Sequence, residues 1–237
     1  MDSQPLSNSQ FSWRALCNVR VIPFALFIGL MIVESVFESL LPESAKQFGA
    51  LWYPLRVIAV TAALLYFVRA SPDYLPWLSG LTIKDVVIAV LAGVGILIMW
   101  IVIGPLVRMG DAPSRVSPIP QDQTLATLWL ISRFFGTAIV VPIIEELFFR
   151  SFLMRRIDAT DVDRLAPQSI SLFAIAASSV VFSLEHKEVL AGFLAGLAFA
   201  YLYKRRGNLR DAIIAHGVTN ALLFVFVLTQ NRFDFWG

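Results

Sequence analysis

Pro142-Ile143-Ile144-Glu145-Glu146-Leu147-Phe148-Phe149-Arg150 places two adjacent carboxylates and a guanidinium inside an otherwise apolar run. A carboxylate at membrane depth costs at least a few kcal/mol unless it is paired or hydrated, so intramembrane glutamates face a bundle interior or a watery cavity. On a helix Glu146 and Arg150 stand four apart on one face and can pair, whereas Glu145 points roughly 100° away from Glu146. The stretch therefore predicts a structural ion pair and, beside it, a carboxylate aimed at something else.

The surrounding composition supports that setting. Of 237 residues 57% are hydrophobic and 15% charged, against about 25% charged in soluble domains, so the chain reads as an integral membrane protein. A net charge of +2 is too small to suggest nucleic acid, and the basic residues cluster between apolar segments, where they set orientation. Cys17 stands alone, which excludes an internal disulfide or a redox pair. The polar first twenty residues contain Arg14 and Arg20 and lack a small-residue cleavage site, so they are expected to be a cytoplasmic tail.

The fold class expected is all-α, a polytopic transmembrane bundle of about seven spans. These run from about Val21 to Leu41, Leu51 to Val68, Val86 to Val107, Leu125 to Met154, Ser169 to Leu184, Val189 to Tyr203 and Ala212 to Leu228. The polar loop with Gly110, Pro113, Pro118 and Pro120 is the strongest internal boundary. It divides the chain into a tail (1–20), a three-helix part (21–107), a loop (108–124) and a four-helix core (125–237). Gly192 and Gly196 have small-xxx-small spacing for close helix contact. Glu34 and Glu38 share a face of the first span and are expected to reach interfacial water. Loops holding Arg69, Lys84, Arg155, Arg156, Arg164, Lys204, Arg205, Arg206 and Arg210 fall on one side, predicting a cytoplasmic N-terminus and an external C-terminus.

Only two histidines occur, His186 and His216, and both fall within or at the end of apolar helices in the C-terminal half, with Asn220 one turn beyond His216. Two histidines, an asparagine and a glutamate pair on three helices are hard to read as packing alone. A carboxylate can deprotonate water, an imidazole can orient it, and a second histidine with asparagine supplies donors to a developing oxyanion. Those parts suit amide hydrolysis.

Glu145-Glu146-x-x-x-Arg150, Phe182-x-x-x-His186, and His216-x-x-x-Asn220 preceded by Tyr203-Lys204-Arg205-Arg206-Gly207-Asn208-Leu209 together resemble the three-motif signature of the CAAX prenyl protease and bacteriocin-processing family, also called the CPBP or Abi family. The resemblance covers roughly residues 125 to 230, and within the family the chain is similar to the CAAX-protease-related proteins found with exosortase-type sorting systems. It implies an intramembrane endopeptidase, a hydrolase working in a cavity that opens to the cytoplasm of a bacterial inner (plasma) membrane. Its substrate would be a peptide or protein in or at the bilayer. Mapped residue by residue, Glu145 is the general base, His186 its partner on the attacking water, and His216 with Asn220 the oxyanion site. Glu146, Arg150 and Phe182 occupy supporting positions. Glu185 lies outside the signature and is expected to be a hydrated carboxylate or a modulator of the site.

Two alternatives stay open at this level. A zinc ion held by Glu145, His186 and His216 would make a ligand set like that of a catalytic site; the lack of two histidines closely spaced on one helix favours a mechanism without metal or cofactor. A non-enzymatic accessory, immunity or sorting partner could use the same residues as a buried polar network. Helix arithmetic also poses a problem. At 1.5 Å per residue Glu145 lies about 15 Å, His186 about 24 Å and His216 about 10 Å from the inner side, so the helices must tilt or a watery cavity must bridge them. Substrate identity and oligomeric state are not encoded in any motif.

Overall fold

The computed structural model describes residues 19–40, 49–70, 82–110 and 115–236. Most of the tail with Cys17, the side chain of Glu38, the loop at 72–77 and part of the 108–124 loop lie outside the described residues. Within them the chain is all-helical, without a strand. The helices are α1 (Ile22–Leu40), α2 (Trp52–Ala70), α3 (Ile83–Ile103), α4 (Gln123–Asp158), α5 (Leu172–Ser183), α6 (Val189–Arg206) and α7 (Leu209–Gln230).

Four helical stretches are long and apolar enough to cross a membrane: Gly49–Phe67, Ile83–Leu106, Gln123–Asp158 and Leu209–Gln230. Ile22–Phe37 and Leu172–Ser183 are apolar but shorter. The protein is an integral membrane protein. The fifth of the seven predicted spans differs most from expectation, because α5 has twelve residues and covers about 18 Å of a hydrocarbon core about 30 Å thick.

Local chemistry explains where the helices begin and end. Thr82 and Asp85 form a reciprocal capping box at the start of α3. Asp158, the last residue of α4, accepts from both the amide and the hydroxyl of Ser171 (2.6 and 2.7 Å), and that hydroxyl in turn accepts from the Ala174 amide to cap α5. Gly207 ends α6 in the left-handed conformation (φ 69°) with its amide on the Tyr203 carbonyl, a geometry that a Cβ would strain. Asn208 then caps α7.

α4 is not a uniform α-helix. Gly136–Val140 and Leu147–Leu153 are π-helical, flanking the α-helical turn Val141–Glu146. The Val141 amide donates to the Gly136 carbonyl, five residues back. In the same register Thr137 O would accept from residue 142, but Pro142 has no N–H. That vacancy is filled from α7, where Asn220 Nδ2 donates to Thr137 O at 2.9 Å.

Helix packing brings both halves of the sequence to one place. α3 lies along α7, α5 along α6, and α6 along α7. On α6, a Cβ at Gly196 would come within 2.9 Å of Ser179 Cβ and one at Gly192 within 3.1 Å of Ser183 Cα. The two small residues of α6 thus meet two serines of α5 that are also four apart. Gly93 of α3 faces the Ala215 carbonyl of α7, where a Cβ would sit 2.5 Å from the oxygen. At one end of the bundle Arg20 pairs with Asp163 (2.7 Å), Lys204 donates to the Ile170 carbonyl (2.5 Å), and Arg206 pairs with Asp85. At the other end Arg108 meets Glu188 and Asp234 (3.2 and 3.5 Å).

Candidate active site

Glu146 and Arg150 form the pair expected from their spacing. Arg150 Nε lies 3.1 Å from Glu146 Oε2, with side chains 1% and 0% exposed. Arg150 also donates to the Gly196 carbonyl (3.3 Å), which the close α5–α6 crossing makes reachable. Its guanidinium carbon stands 4.4 Å from the Phe182 ring centroid, with Phe199 and Phe149 at 5.4 and 5.7 Å. Cation–π contact and the ion pair together compensate the loss of hydration around this charge.

Glu146 makes a second contact that its spacing in α4 could not indicate. Its Oε1 lies 2.9 Å from His216 Nδ1. A carboxylate oxygen can only accept there, so Nδ1 carries the proton and Nε2 of the neutral ring is left as an acceptor. The His216 ring stacks on Phe199, with centroids 4.6 Å apart and planes 14° apart. Both the tautomer and the ring plane are therefore set from outside.

His216 Nε2 faces Glu145, whose Oε2 is 3.8 Å away, buried and without a hydrogen-bond partner among the described residues. Two hydrogen-bond acceptors at that separation can both be reached by the O–H groups of one water at about 2.8 Å from each. Glu145 thus stands beside His216, whereas the family resemblance implies His186 as its partner on the attacking water. Among the described residues Glu145 and His186 make no hydrogen bond or ion pair with one another.

His186 follows α5 in a turn and is not helical. Its Nδ1 is 3.0 Å from the Phe182 carbonyl, so this nitrogen carries the proton and Nε2 is the acceptor. Trp100 of α3 meets the ring edge-on at 5.2 Å, and Phe182 lies 4.8 Å from it. The turn after the short α5 carries His186 to the other motifs. His186, His216 and Asn220 all line one cavity of about 180 Å³, together with Phe182, Trp100 and Glu185. Glu145 is not itself in that wall and is reached beside His216.

Among the described residues no three His, Cys, Asp or Glu side chains are grouped to hold a metal. Asn220 commits one amide hydrogen to Thr137 O and keeps the other. Trp100 and Phe199 escaped sequence reasoning, since an aromatic residue in an apolar helix carries no signal of which ring it will touch. Arg133 did carry one, as a charge in the otherwise apolar first half of the fourth span.

Residues 127–222 match the family profile described as Rce1-like, type II CAAX prenyl endopeptidase. This segment is similar to the Rce1-like family. It contains all three motifs, from α4 through most of α7, and excludes α1 to α3. Trp100 nevertheless brings α3 into the cavity of the Rce1-like segment. Comparison with curated proteins and with solved structures returned no significant match.

Proposed function

We propose that the protein is an intramembrane endopeptidase that hydrolyses a peptide bond of a membrane-associated peptide or protein by a glutamate-activated water. The observation that carries this reading is the Glu145 carboxylate oxygen, buried without a partner and 3.8 Å from an imidazole whose other nitrogen is anchored by Glu146. A water donating to Glu145 Oε2 and to His216 Nε2 is held by two acceptors. As it attacks the carbonyl carbon, Glu145 takes its proton. Glu145, now protonated, gives that proton to the departing amine, His186 Nε2 is an acceptor in the cavity wall that orients the amine N–H, and the uncommitted N–H of Asn220 is the donor for the carbonyl oxygen as charge develops. Arg150 acts at one remove, by fixing Glu146 and through it His216. The membrane setting and the Rce1-like segment support this substrate class.

Glu145→Gln keeps the shape of the side chain but cannot accept the proton. Purified variant and parent would be compared on a quenched peptide library, with thermal unfolding in detergent as the control for folding. The expected result is loss of hydrolysis with unchanged unfolding, and His186→Ala should lose activity comparably. Near-parental turnover by Glu145→Gln would overturn the mechanism; no cleavage of any peptide by the parent would favour the accessory reading of the same polar network.

A further inference from the structure

α4 carries a second arginine at membrane depth, and it is housed differently from Arg150. Arg133 forms no ion pair with a carboxylate among the described residues. Its guanidinium carbon lies 4.7, 5.1 and 5.4 Å from the rings of Trp236, Trp129 and Tyr53, and Nη2 donates to the Trp236 carbonyl (3.2 Å). Among the described residues its Nε is buried without a partner, as is the hydroxyl of Tyr53, which packs so closely on α4 that a Cβ at Gly136 would come within 2.6 Å of it. An intramembrane cation without a counter-ion marks a functional position.

Its location says what it could serve. Arg133 is in the wall of the cavity that holds His186 and His216, and also in the wall of a second cavity of about 610 Å³ bounded by Tyr53, Arg56 and Trp129. The other cations nearby are committed or peripheral. Arg56 pairs with Glu34 (2.9 Å), Arg108 with Glu188, and Lys187 is exposed. We propose that Arg133 is the receptor for a carboxylate on the peptide that occupies the cavity of His186 and His216, and so determines which peptides are held. A planar carboxylate suits the edge of a guanidinium enclosed by rings. Glu185 and Glu188 in the same wall oppose a doubly charged phosphate. The inference rests on the endopeptidase reading of this site, and the carboxylate comes either from a chain end or from an acidic side chain.

A set of randomised apolar peptides is made in three forms: free acid, terminal amide, and terminal amide with one internal Asp. Binding to the full-length protein is read by fluorescence anisotropy, with turnover measured in parallel. The parent should bind one carboxylate-bearing form about 10- to 100-fold more tightly than the uncharged amide, the range for a hydrogen bond to a charged group; which form it is identifies the source. Arg133→Gln should abolish that preference while leaving affinity for the uncharged amide unchanged, and Arg133→Lys, the variant to use should Arg133→Gln fail to fold, should keep part of it. In turnover the effect should fall on KM and not on kcat. Equal binding of all three forms by the parent, or equal weakening of all three in Arg133→Lys, overturns the proposal and leaves Arg133 a packing residue. Selective displacement of the acid form by phosphatidylglycerol nanodiscs assigns the site to lipid and also overturns it. Binding preference without cleavage in the parent counts against the endopeptidase reading and leaves the carboxylate receptor standing.

Discussion

Glu146 is the residue on which the polar centre converges, because its two oxygens serve different partners: Oε2 holds Arg150 and Oε1 holds His216. Removing Arg150 strands a fully buried carboxylate, and breaking such a pair costs about 3–5 kcal/mol. Arg150→Ala should therefore lower the unfolding temperature and folded yield sharply. Adding Glu146→Gln should restore part of both, since a neutral amide still reaches His216 but leaves no uncompensated charge. Thermal unfolding of the two variants in detergent checks this, and a single variant with parental unfolding temperature would refute the structural pair. Activity need not follow yield, because the amide can present either an oxygen or an N–H to His216 Nδ1 and so alters which tautomer the ring adopts.

Along α4 the π-helical turns do at the level of the element what the ion pair does at the level of the residue. Extra residues inserted in helical turns re-aim side chains and free backbone groups, and they recur at functional sites. Here the first π-turn and Pro142 together free the Thr137 carbonyl, and Asn220 takes it. Gly217, three residues before Asn220 on α7, lies against the Ala138 carbonyl, where a Cβ would sit 2.7 Å from the oxygen. α7 is thus fastened to α4 through the proline-disturbed turn. Asn220→Ala should lower stability by about 1–3 kcal/mol, the cost of an unsatisfied buried acceptor. Pro142→Ala in that background supplies an N–H and should recover part of the loss. If the remaining Asn220 hydrogen serves the oxyanion, stability returns in the double variant and hydrolysis does not. Unfolding curves and kcat, measured on the same preparations, separate the two roles; full stability of Asn220→Ala would show that the Thr137 contact contributes nothing.

For the molecule as a whole, contacts at the two ends constrain the topology more tightly than charge counting does. Arg20 with Asp163, Lys204 with the Ile170 carbonyl, and Arg206 with Asp85 tie the start of α1, the start of α3, the α4–α5 loop and the α6–α7 turn to one end. These segments carry Lys84, Arg155, Arg156, Arg164, Lys204, Arg205, Arg206 and Arg210, and on the positive-inside bias we propose that this end is cytoplasmic. Arg164 and Arg205 are exposed at this end and Gln230 is exposed at the end of α7. With Cys17 replaced by serine, cysteines at 164 and 205 should be shielded from an impermeant maleimide in intact cells, and a cysteine at 230 should be labelled. Labelling of 164 and 205 from opposite sides would contradict the packing; labelling of both from outside would reverse the orientation.

Sequence by itself determined the features that depend on near neighbours. Apolar length identified membrane helices, i to i+4 spacing identified Glu146 with Arg150, and Gly192 with Gly196 identified a close crossing, because helical geometry relates residues three or four apart without knowledge of the fold. The three motifs marked the helices that would meet. Which side chains meet was decided by tertiary structure. His216 and Glu146 are 70 positions apart and Asn220 and Thr137 are 83, and such contacts depend on the rotation and depth of each helix, set by ring stacking, glycine approach and the two π-turns. For the same reason Glu145 stands beside His216, Trp100 closes on His186 from the other half of the chain, and Arg133 lies among three aromatic rings drawn from α2, α4 and the segment after α7.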